Sequence, residues 1–222
     1  MQLLHEFNDF ITSDQPPAGI KMPALVGQLY DAITGAEAKM GRECSNGFVF
    51  GGIFNSLYQG EAPRDTDMMI CNPEMVKLAQ KVQKQRGMEA YSYKERQEID
   101  EAIEYNMGRM MPYNPDVSWD ADNMKIHAGT NIGVCMQVTA IVMVEGKGHL
   151  VDVTFTEKPV TPPEIFTRAP ITSAAYNLET GAYCYHKDFE ADIKAWEYRP
   201  FGDLDAEAQE KLEAKGMALK IA

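Results

Sequence analysis

The sequence has few of the residues that build a zinc site or a disulfide framework. Its 222 residues include four cysteines and four histidines, which are scattered, and no two cysteines have a C-x-x-C spacing. This argues against zinc-finger and disulfide-scaffold patterns and predicts reduced thiols in a cytoplasmic protein. We therefore expect any bound metal to be a hard cation held by carboxylate oxygens.

Long apolar runs are also missing. No stretch approaches the roughly 18 continuous apolar residues of a membrane helix, and the N-terminus lacks the basic and apolar regions of a secretory signal. We therefore expect no membrane partner. An apolar content of 45% is ordinary for a globular protein. Because the sequence shows no clear boundary, we predict one domain spanning residues 1–222.

Positive charge is scarce. Lys and Arg together number 21 against 33 Asp and Glu, which gives a formal net charge of −12. Proteins that hold nucleic acid through its phosphates normally present a basic surface, so broad nucleic-acid binding is disfavoured. A local basic patch, or a small anionic substrate held through a metal, remains compatible with this charge. Solubility alone would also account for it.

Periodic segments predict both helices and strands. Apolar spacing and terminal signals predict a helix opening at Pro23 and helices over Pro73–Arg86 and Tyr93–Met107. Gly133–Glu145 and His149–Thr156 are β-rich and flank a Gly-Lys-Gly turn, which predicts a hairpin.

Other regions carry weaker signals. Phe10 and Ile11 continue a helical spacing from the N-terminus, so we predict a short helix there. Residues 108–131 are rich in Met, Pro, Asn and Asp, which predicts a long irregular connection. We expect a helical or loop insertion over 72–131 and a helical C-terminal tail over 200–222.

Three aspartates suggest a metal site. Asp65 and Asp67 stand two residues apart at the start of a predicted strand, so both point to one face. Such a pair repels unless a cation lies between its members, and a divalent ion does this best. Asp152 lies mid-strand among apolar residues, where burial is costly unless it is paired or metal-bound. Three carboxylates on adjacent strands can hold two ions, Mg²⁺ or Mn²⁺, for in-line phosphoryl transfer.

A glycine pair precedes these aspartates. Gly51 and Gly52 stand just before a predicted helix, where a backbone without Cβ can approach phosphates closely. We expect this glycine pair to contact a triphosphate. Simpler interpretations stay open, since Asp-x-Asp pairs occur in caps, Gly-Gly occurs in turns, and a strand aspartate can face solvent.

This order of elements resembles the nucleotidyltransferase superfamily of polymerase-beta type, most closely the head domain of tRNA nucleotidyltransferases (CCA-adding enzymes) and bacterial poly(A) polymerases. The family's first motif matches without gaps, at Gly51, Gly52, Gly60, Pro63, Arg64, Asp65 and Asp67. A supporting similarity covers Ala174–Gly181, Asp192–Ala195 and Arg199. The resemblance spans about residues 45–200. It implies an α+β nucleotidyltransferase fold with a small mixed or antiparallel sheet and helices packed on one side.

The resemblance also implies roles for single residues. Asp65, Asp67 and Asp152 would be the catalytic metal ligands, and an NTP would be contacted by Gly51, Gly52, Asn55, Arg64 and Arg168. The chain departs from the family at Asn55-Ser56, where the family has Arg-Asp, and at Phe166-Thr167-Arg168, where it has Arg-Arg-Asp. We expect no counterpart of the family's tRNA-holding domains after Arg199.

The sequence thus predicts a metal-dependent nucleotidyltransferase that transfers a nucleotidyl group from an NTP to an acceptor hydroxyl. The acceptor could be an RNA or tRNA 3′ end, a small molecule or a protein. A nucleotidyltransferase-fold protein that has lost catalysis and binds or inhibits a partner is the alternative, motivated by the departures and the acidic charge. A carboxylate-metal nuclease or phosphatase is a third, although a Gly-Gly helix suits a triphosphate better than a diester.

Overall fold

The computed structural model describes residues 9–63, 66–130, 132–166, 169–201 and 206–220. In this part of the chain, no helix is both long and apolar enough to span a membrane. The helices are α1 (Ala24–Lys39), α2 (Gly52–Tyr58), α3 (Pro73–Arg86), α4 (Tyr93–Met110), α5 (Pro162–Ile165), α6 (Phe189–Ala195) and α7 (Ala206–Ala214). The strands are β1 (Phe10–Ser13), β2 (Ser45–Phe50), β3 (Thr66–Cys71), β4 (Val117–Trp119), β5 (Lys125–Thr130), β6 (Gly133–Val144), β7 (Lys147–Thr156), β8 (Ala174–Asn177), β9 (Tyr183–His186), β10 (Glu197–Tyr198) and β11 (Ala218–Leu219).

The fold is mixed α/β, with β1 to β9 in a large sheet and β10 paired in parallel with β11. The expectation of a small sheet is therefore wrong. Four of the nine strands (β1, β4, β8 and β9) have four residues or fewer, which is too short to show a periodic pattern in the sequence.

The chain divides into two compact units, each built from separated segments. The first comprises Met1–Pro23, Phe48–Asp67 and Thr161–Ala222, and the second comprises Ala24–Gly47 and Met68–Val160. The predicted insertion over 72–131 lies wholly within the second unit. That the whole chain acts as one domain stays a prediction.

In the first unit, the strands follow the order β1-β9-β8-β2, and each pair is antiparallel. An aromatic cluster anchors this arrangement: Phe48 and Phe166 are buried, and the Phe10 ring stacks on Phe166 at 5.7 Å. The predicted helix is wrong at Phe10 and Ile11, because β1 pairs with β9 (Phe10 opposite His186). Pairing with a distant strand has overridden a local helical spacing.

In the second unit, the strands follow the order β3-β7-β6-β4, with β5 also paired to β6. The backbone N–H of Asn72, just after β3, donates a hydrogen bond to the backbone carbonyl of Thr156 at the end of β7 (3.0 Å). Their C-terminal ends therefore meet, so β3 and β7 are parallel. The predicted hairpin is confirmed as β6 and β7, whose register runs from Val144 opposite Lys147 to Cys135 opposite Thr156.

The two faces of this hairpin differ. Val138, Ala140, Val151 and Val153 are fully buried on the face against which α1 and α3 pack. The alternate side chains are exposed or half-buried, as period-2 alternation requires. We call this second face the outer face, and it carries Gln137, Thr139, Ile141, Met143, Leu150, Asp152 and Thr154.

The strongly periodic helices are confirmed as α1, α3 and α4. The long irregular connection over 108–131 is wrong, because α4 runs on to Met110 and both β4 and β5 pair with β6. These short strands show little periodicity in the sequence, and they form because they pair with β6. Helix α6 ends at Ala195, and Trp196 then turns left-handed (φ 56°) into β10. The C-terminal tail contains α7 and also strand β11.

A buried charge network joins three helix ends in the second unit. The Arg42 guanidinium donates two hydrogen bonds to the Glu37 carboxylate, at 2.6 and 2.8 Å. It also donates to the carbonyls of Arg109 and Met110 at the end of α4, at 2.6 and 3.0 Å. Asn72, which caps α3, donates to Glu37 at 2.8 Å. The arginine thus satisfies both a buried carboxylate and the last carbonyls of α4.

We predict that Arg42→Met lowers the free energy of unfolding by about 3–5 kcal/mol, because it leaves Glu37 buried without its partner. Denaturant unfolding measures this. Arg96→Met is the matched control, since Arg96 and Asp100 form an exposed pair on α4, and it should change stability by less than about 1 kcal/mol. Equal effects of the two variants would contradict the role given to Arg42.

A second prediction concerns Gly47 in β2. A Cβ at this position would lie 2.4 Å from the buried ring of Tyr30, so Gly47→Ala should destabilise the protein by about 1–3 kcal/mol. Gly35→Ala, inside α1 with open space around the added Cβ, should instead stabilise it by about 0.5–1 kcal/mol. Thermal unfolding of both variants checks the opposite signs.

Candidate functional site

The predicted site residues are distributed over both units. Gly51, Gly52, Asn55 and Asp67 belong to the first unit, and Asp152 belongs to the second. Three further predicted residues, Arg64, Asp65 and Arg168, lie outside the described residues, so their roles stay predictions.

Gly51 makes a tight turn between β2 and α2. Its φ of 78° lies in the region that favours glycine. A Cβ at Gly51 would lie 3.1 Å from Oδ2 of Asp67, whereas a Cβ at Gly52 would meet nothing within 4 Å. The turn therefore packs directly against the carboxylate on one side and has open space at the first residue of α2.

Asp67 lies at the start of β3, between two buried residues. Thr66 is 7% exposed and Met68 is fully buried, while Asp67 itself is half-buried. The first unit thus brings the second aspartate of the Asp-x-Asp motif against the glycine turn that precedes it by 16 residues. This proximity is what the sequence order of glycine pair, helix and strand leads us to expect.

Asn55 lies on the buried side of α2. It is 7% exposed, and its Oδ1 atom has no hydrogen-bond partner among the described residues. Its neighbour Phe54 is fully buried and meets Tyr183 and Phe189 edge-on. A buried carbonyl oxygen without a partner costs stability. The side-chain oxygen of Asn55 could therefore accept a hydrogen bond from a ligand. A triphosphate contact through Asn55 stays a prediction.

Asp152 lies on the outer face of the second unit, where it is half-buried. Its neighbours Val151 and Val153 are fully buried on the opposite face. The Thr139 hydroxyl donates to Oδ1 of Asp152 at 2.6 Å, and the two residues are direct partners in the β6–β7 register. The aspartate therefore avoids the apolar interior, and one of its oxygens is held in place by a neutral donor.

Sequence reasoning missed Thr139, because it placed the hairpin turn at Gly146-Lys147-Gly148. The turn is instead the two residues Glu145-Gly146, which places Val144 opposite Lys147. Counting back from that turn along an antiparallel hairpin brings Thr139 opposite Asp152.

The segment that supports the resemblance contains a buried ion pair. Asp192 is 1% exposed and accepts a hydrogen bond from Nη2 of Arg199, and this bond raises the pKa of Arg199. Asp192 Oδ2 and Arg199 Nε are buried without a partner among the described residues. This pair therefore links the middle of α6 to the residue after β10.

Asp67 in the first unit and Asp152 in the second are each half-buried, and each offers the carboxylate oxygens that Mg²⁺ and Mn²⁺ prefer. That they share one metal site stays a prediction. Across the described ranges, no three His, Cys, Asp or Glu side chains gather closely enough to hold a metal. The predicted set also includes Asp65, which lies outside those ranges.

Substitutions at the two glycines should have different effects. Gly51→Ala places a methyl group in a left-handed conformation and against Asp67, so we expect a loss of about 1–2 kcal/mol. Gly52→Ala adds a methyl group in open space and should change stability by less than about 0.5 kcal/mol. Urea unfolding measures both values. A well-tolerated Gly51→Ala would contradict the close packing of the turn against Asp67.

Comparisons with known proteins return distant structural neighbours. No protein-family model matches the chain, and no curated protein matches it. Among solved structures, a Thermotoga maritima CCA-adding enzyme complexed with tRNA is similar at 13% identity and a TM-score of 0.46, over 96% of this chain and 43% of that one. A CCA-adding enzyme in complex with CTP is similar at 14% identity and a TM-score of 0.45, over 90% and 40%.

A third neighbour is a tRNA-processing enzyme in an apo form, at 11% identity and a TM-score of 0.43, over 90% of this chain and 45% of that one. The chain spans less than half the length of each of these three proteins. All three neighbours are CCA-adding or tRNA-processing enzymes.

Proposed function

We propose that this protein is a metal-dependent nucleotidyltransferase that transfers a nucleotidyl group from an NTP to an acceptor hydroxyl. The observation that carries the proposal is the packing of the Gly51 turn against the carboxylate of Asp67. It supports a glycine turn and an Asp-x-Asp strand that act as one site, with room for phosphates at Gly52. The acidic chain favours a compact anionic substrate held through a metal over a long phosphate backbone.

Asp65, Asp67 and Asp152 would hold Mg²⁺ or Mn²⁺. When bound, the metal would supply positive charge to the triphosphate and lower the pKa of the attacking hydroxyl. Gly51, Gly52 and Asn55, together with Arg64 and Arg168, would contact the nucleotide. The Thr139 hydroxyl occupies one oxygen of Asp152, which leaves the other oxygen for the ligand.

The proposed reaction has one substitution step. The acceptor oxygen forms a bond to the α-phosphorus, and the bond from that phosphorus to the oxygen bridging to the β-phosphate breaks. Pyrophosphate leaves with that electron pair, and the hydroxyl proton passes to Asp152 or to solvent. We propose an RNA or tRNA 3′ end as one acceptor, with small molecules and protein side chains as the others.

A binding or inhibitory module that has lost catalysis is the second candidate. The observation that favours it is the burial of Asn55, where the family has arginine near the triphosphate. A neutral, buried amide supplies less phosphate stabilisation than an exposed guanidinium would. The presence of all three aspartates, Asp65, Asp67 and Asp152, favours the nucleotidyltransferase over the binding module.

We predict that the protein transfers label from at least one α-labelled NTP to total RNA or lysate in the presence of Mg²⁺ or Mn²⁺. Asp67→Asn and Asp152→Asn should each lower the rate at least about a hundredfold, since each removes a charged metal ligand whose effect is worth several kcal/mol. Gel separation of the labelled products measures the rate.

Asp100→Asn is the matched control, because Asp100 is an exposed residue on α4, and it should keep full activity. Gly52→Ala should keep its stability but bind NTP more weakly, because the added methyl group occupies the space left for phosphates. Transfer that survives both aspartate substitutions would refute the proposed metal-dependent nucleotidyltransferase. Calorimetry showing no NTP binding in Mg²⁺, together with tight binding of a protein partner, would favour the second candidate.

A further inference from the structure

The second unit contains an apolar groove of about 530 Å³. One wall is the end of α4, with Met107 and Met111 one turn apart. The chain from Pro112 to Pro115 forms a second wall, and Ile141 and Met143 of the outer face also line the groove. The groove is thus built largely by residues 107–121, which belong to the predicted insertion over 72–131.

Large apolar side chains are exposed in this groove. Tyr113 is 93% exposed, Ile141 48% and Met143 41%. Leu150, 52% exposed, lies directly opposite Ile141 and extends the same apolar surface. None of the residues that line the groove carries a charge. Contiguous apolar surface of this kind marks an interaction site, and thioether side chains adapt to a partner's shape.

Three exposed aspartates lie next to groove-lining residues in the chain. Asp116 is exposed between two lining residues, and Asp120 and Asp122 are exposed on either side of a third. A hydrogen bond from Asn123 lowers the pKa of Asp120, so this carboxylate is charged at neutral pH. Arg109 opposes them in part, with its guanidinium 5.9 Å from the ring centre of Tyr105.

The hairpin turn adds no net charge, because Glu145 and Lys147 offset each other. The balance around the apolar surface is therefore acidic, which attracts basic groups and repels phosphates. The wall formed by α4 is also fixed in place, because Arg42 holds the carbonyls of Arg109 and Met110. The groove is thus largely pre-formed.

We propose that this groove docks a basic amphipathic helix of a partner protein. The apolar face of such a helix would cover Met107, Met111, Ile141 and Met143, and its lysines or arginines would lie against Asp116 and Asp122. Helices bind apolar grooves in this way through side chains spaced three and four residues apart. The inference goes beyond nucleotidyl transfer and does not depend on it.

The test uses fluorescein-labelled peptides and the full-length protein. An 18-residue Leu/Lys peptide with helical spacing should bind with a micromolar Kd by fluorescence anisotropy. A Leu/Glu peptide with the same apolar face should bind at least tenfold more weakly. The double variant Asp116→Asn, Asp122→Asn should reduce this preference to less than threefold. A retained preference would overturn the proposal.

The apolar contribution is tested separately. Ile141→Ser combined with Met143→Ser should weaken Leu/Lys binding at least tenfold. Met88→Ser is the control, because Met88 is 49% exposed but does not line the groove, and it should bind normally. If the double serine variant does not fold, the aspartate variants still decide the outcome. Equal binding of both peptides, no binding of either, or displacement of the Leu/Lys peptide by oligo(A) RNA would overturn the proposal.

Discussion

The ion pair between Arg42 and Glu37 holds the second unit together. Its members lie at the C-terminal end of α1 and just after it, yet the guanidinium also reaches the last carbonyls of α4, and the carboxylate reaches Asn72 at the start of α3. Burying this charge is tolerable only because every partner is present. Burial, with a smaller effect from the same carboxylate, raises the pKa of the nearby Cys44 thiol to about 12, so that thiol stays neutral and unreactive at physiological pH.

The β6–β7 hairpin has one face in the apolar core and carries the candidate ligand Asp152 on its other face. One register fixes both faces: Val138 and Val153 are opposite each other in the core, while Thr139 and Asp152 are opposite each other on the outer face. A shift of one residue would bury Asp152 among the helices and expose the valines, so the core specifies the position of the aspartate. The turn at Glu145-Gly146 and the apolar face thus determine the position of Asp152, a candidate metal ligand, although neither of them contacts it.

Local pattern predicts the parts of this molecule that depend on local physics. The helical period of α3 with its proline start, and the alternation around Asp152, are both visible in the sequence. Strands β4 and β1 are not, because three or four residues show no period and their pairing partners lie 21 or more residues away. The close approach of Gly51 to Asp67 follows from the order of the motif. The burial of Asn55 does not, since it depends on the side of α2 that faces Tyr183 and Phe189.

The surroundings of Asp152 constrain what can reach it. On the outer face its cross-strand partner is Thr139, the next residue of its own strand on this face is Thr154, and Ile141 and Leu150 continue the face towards the groove. None of these side chains is basic. These neighbours therefore offer no positive charge to an acceptor that approaches Asp152 across this face. If an RNA end is the acceptor, its backbone charge must be met by residues outside this set.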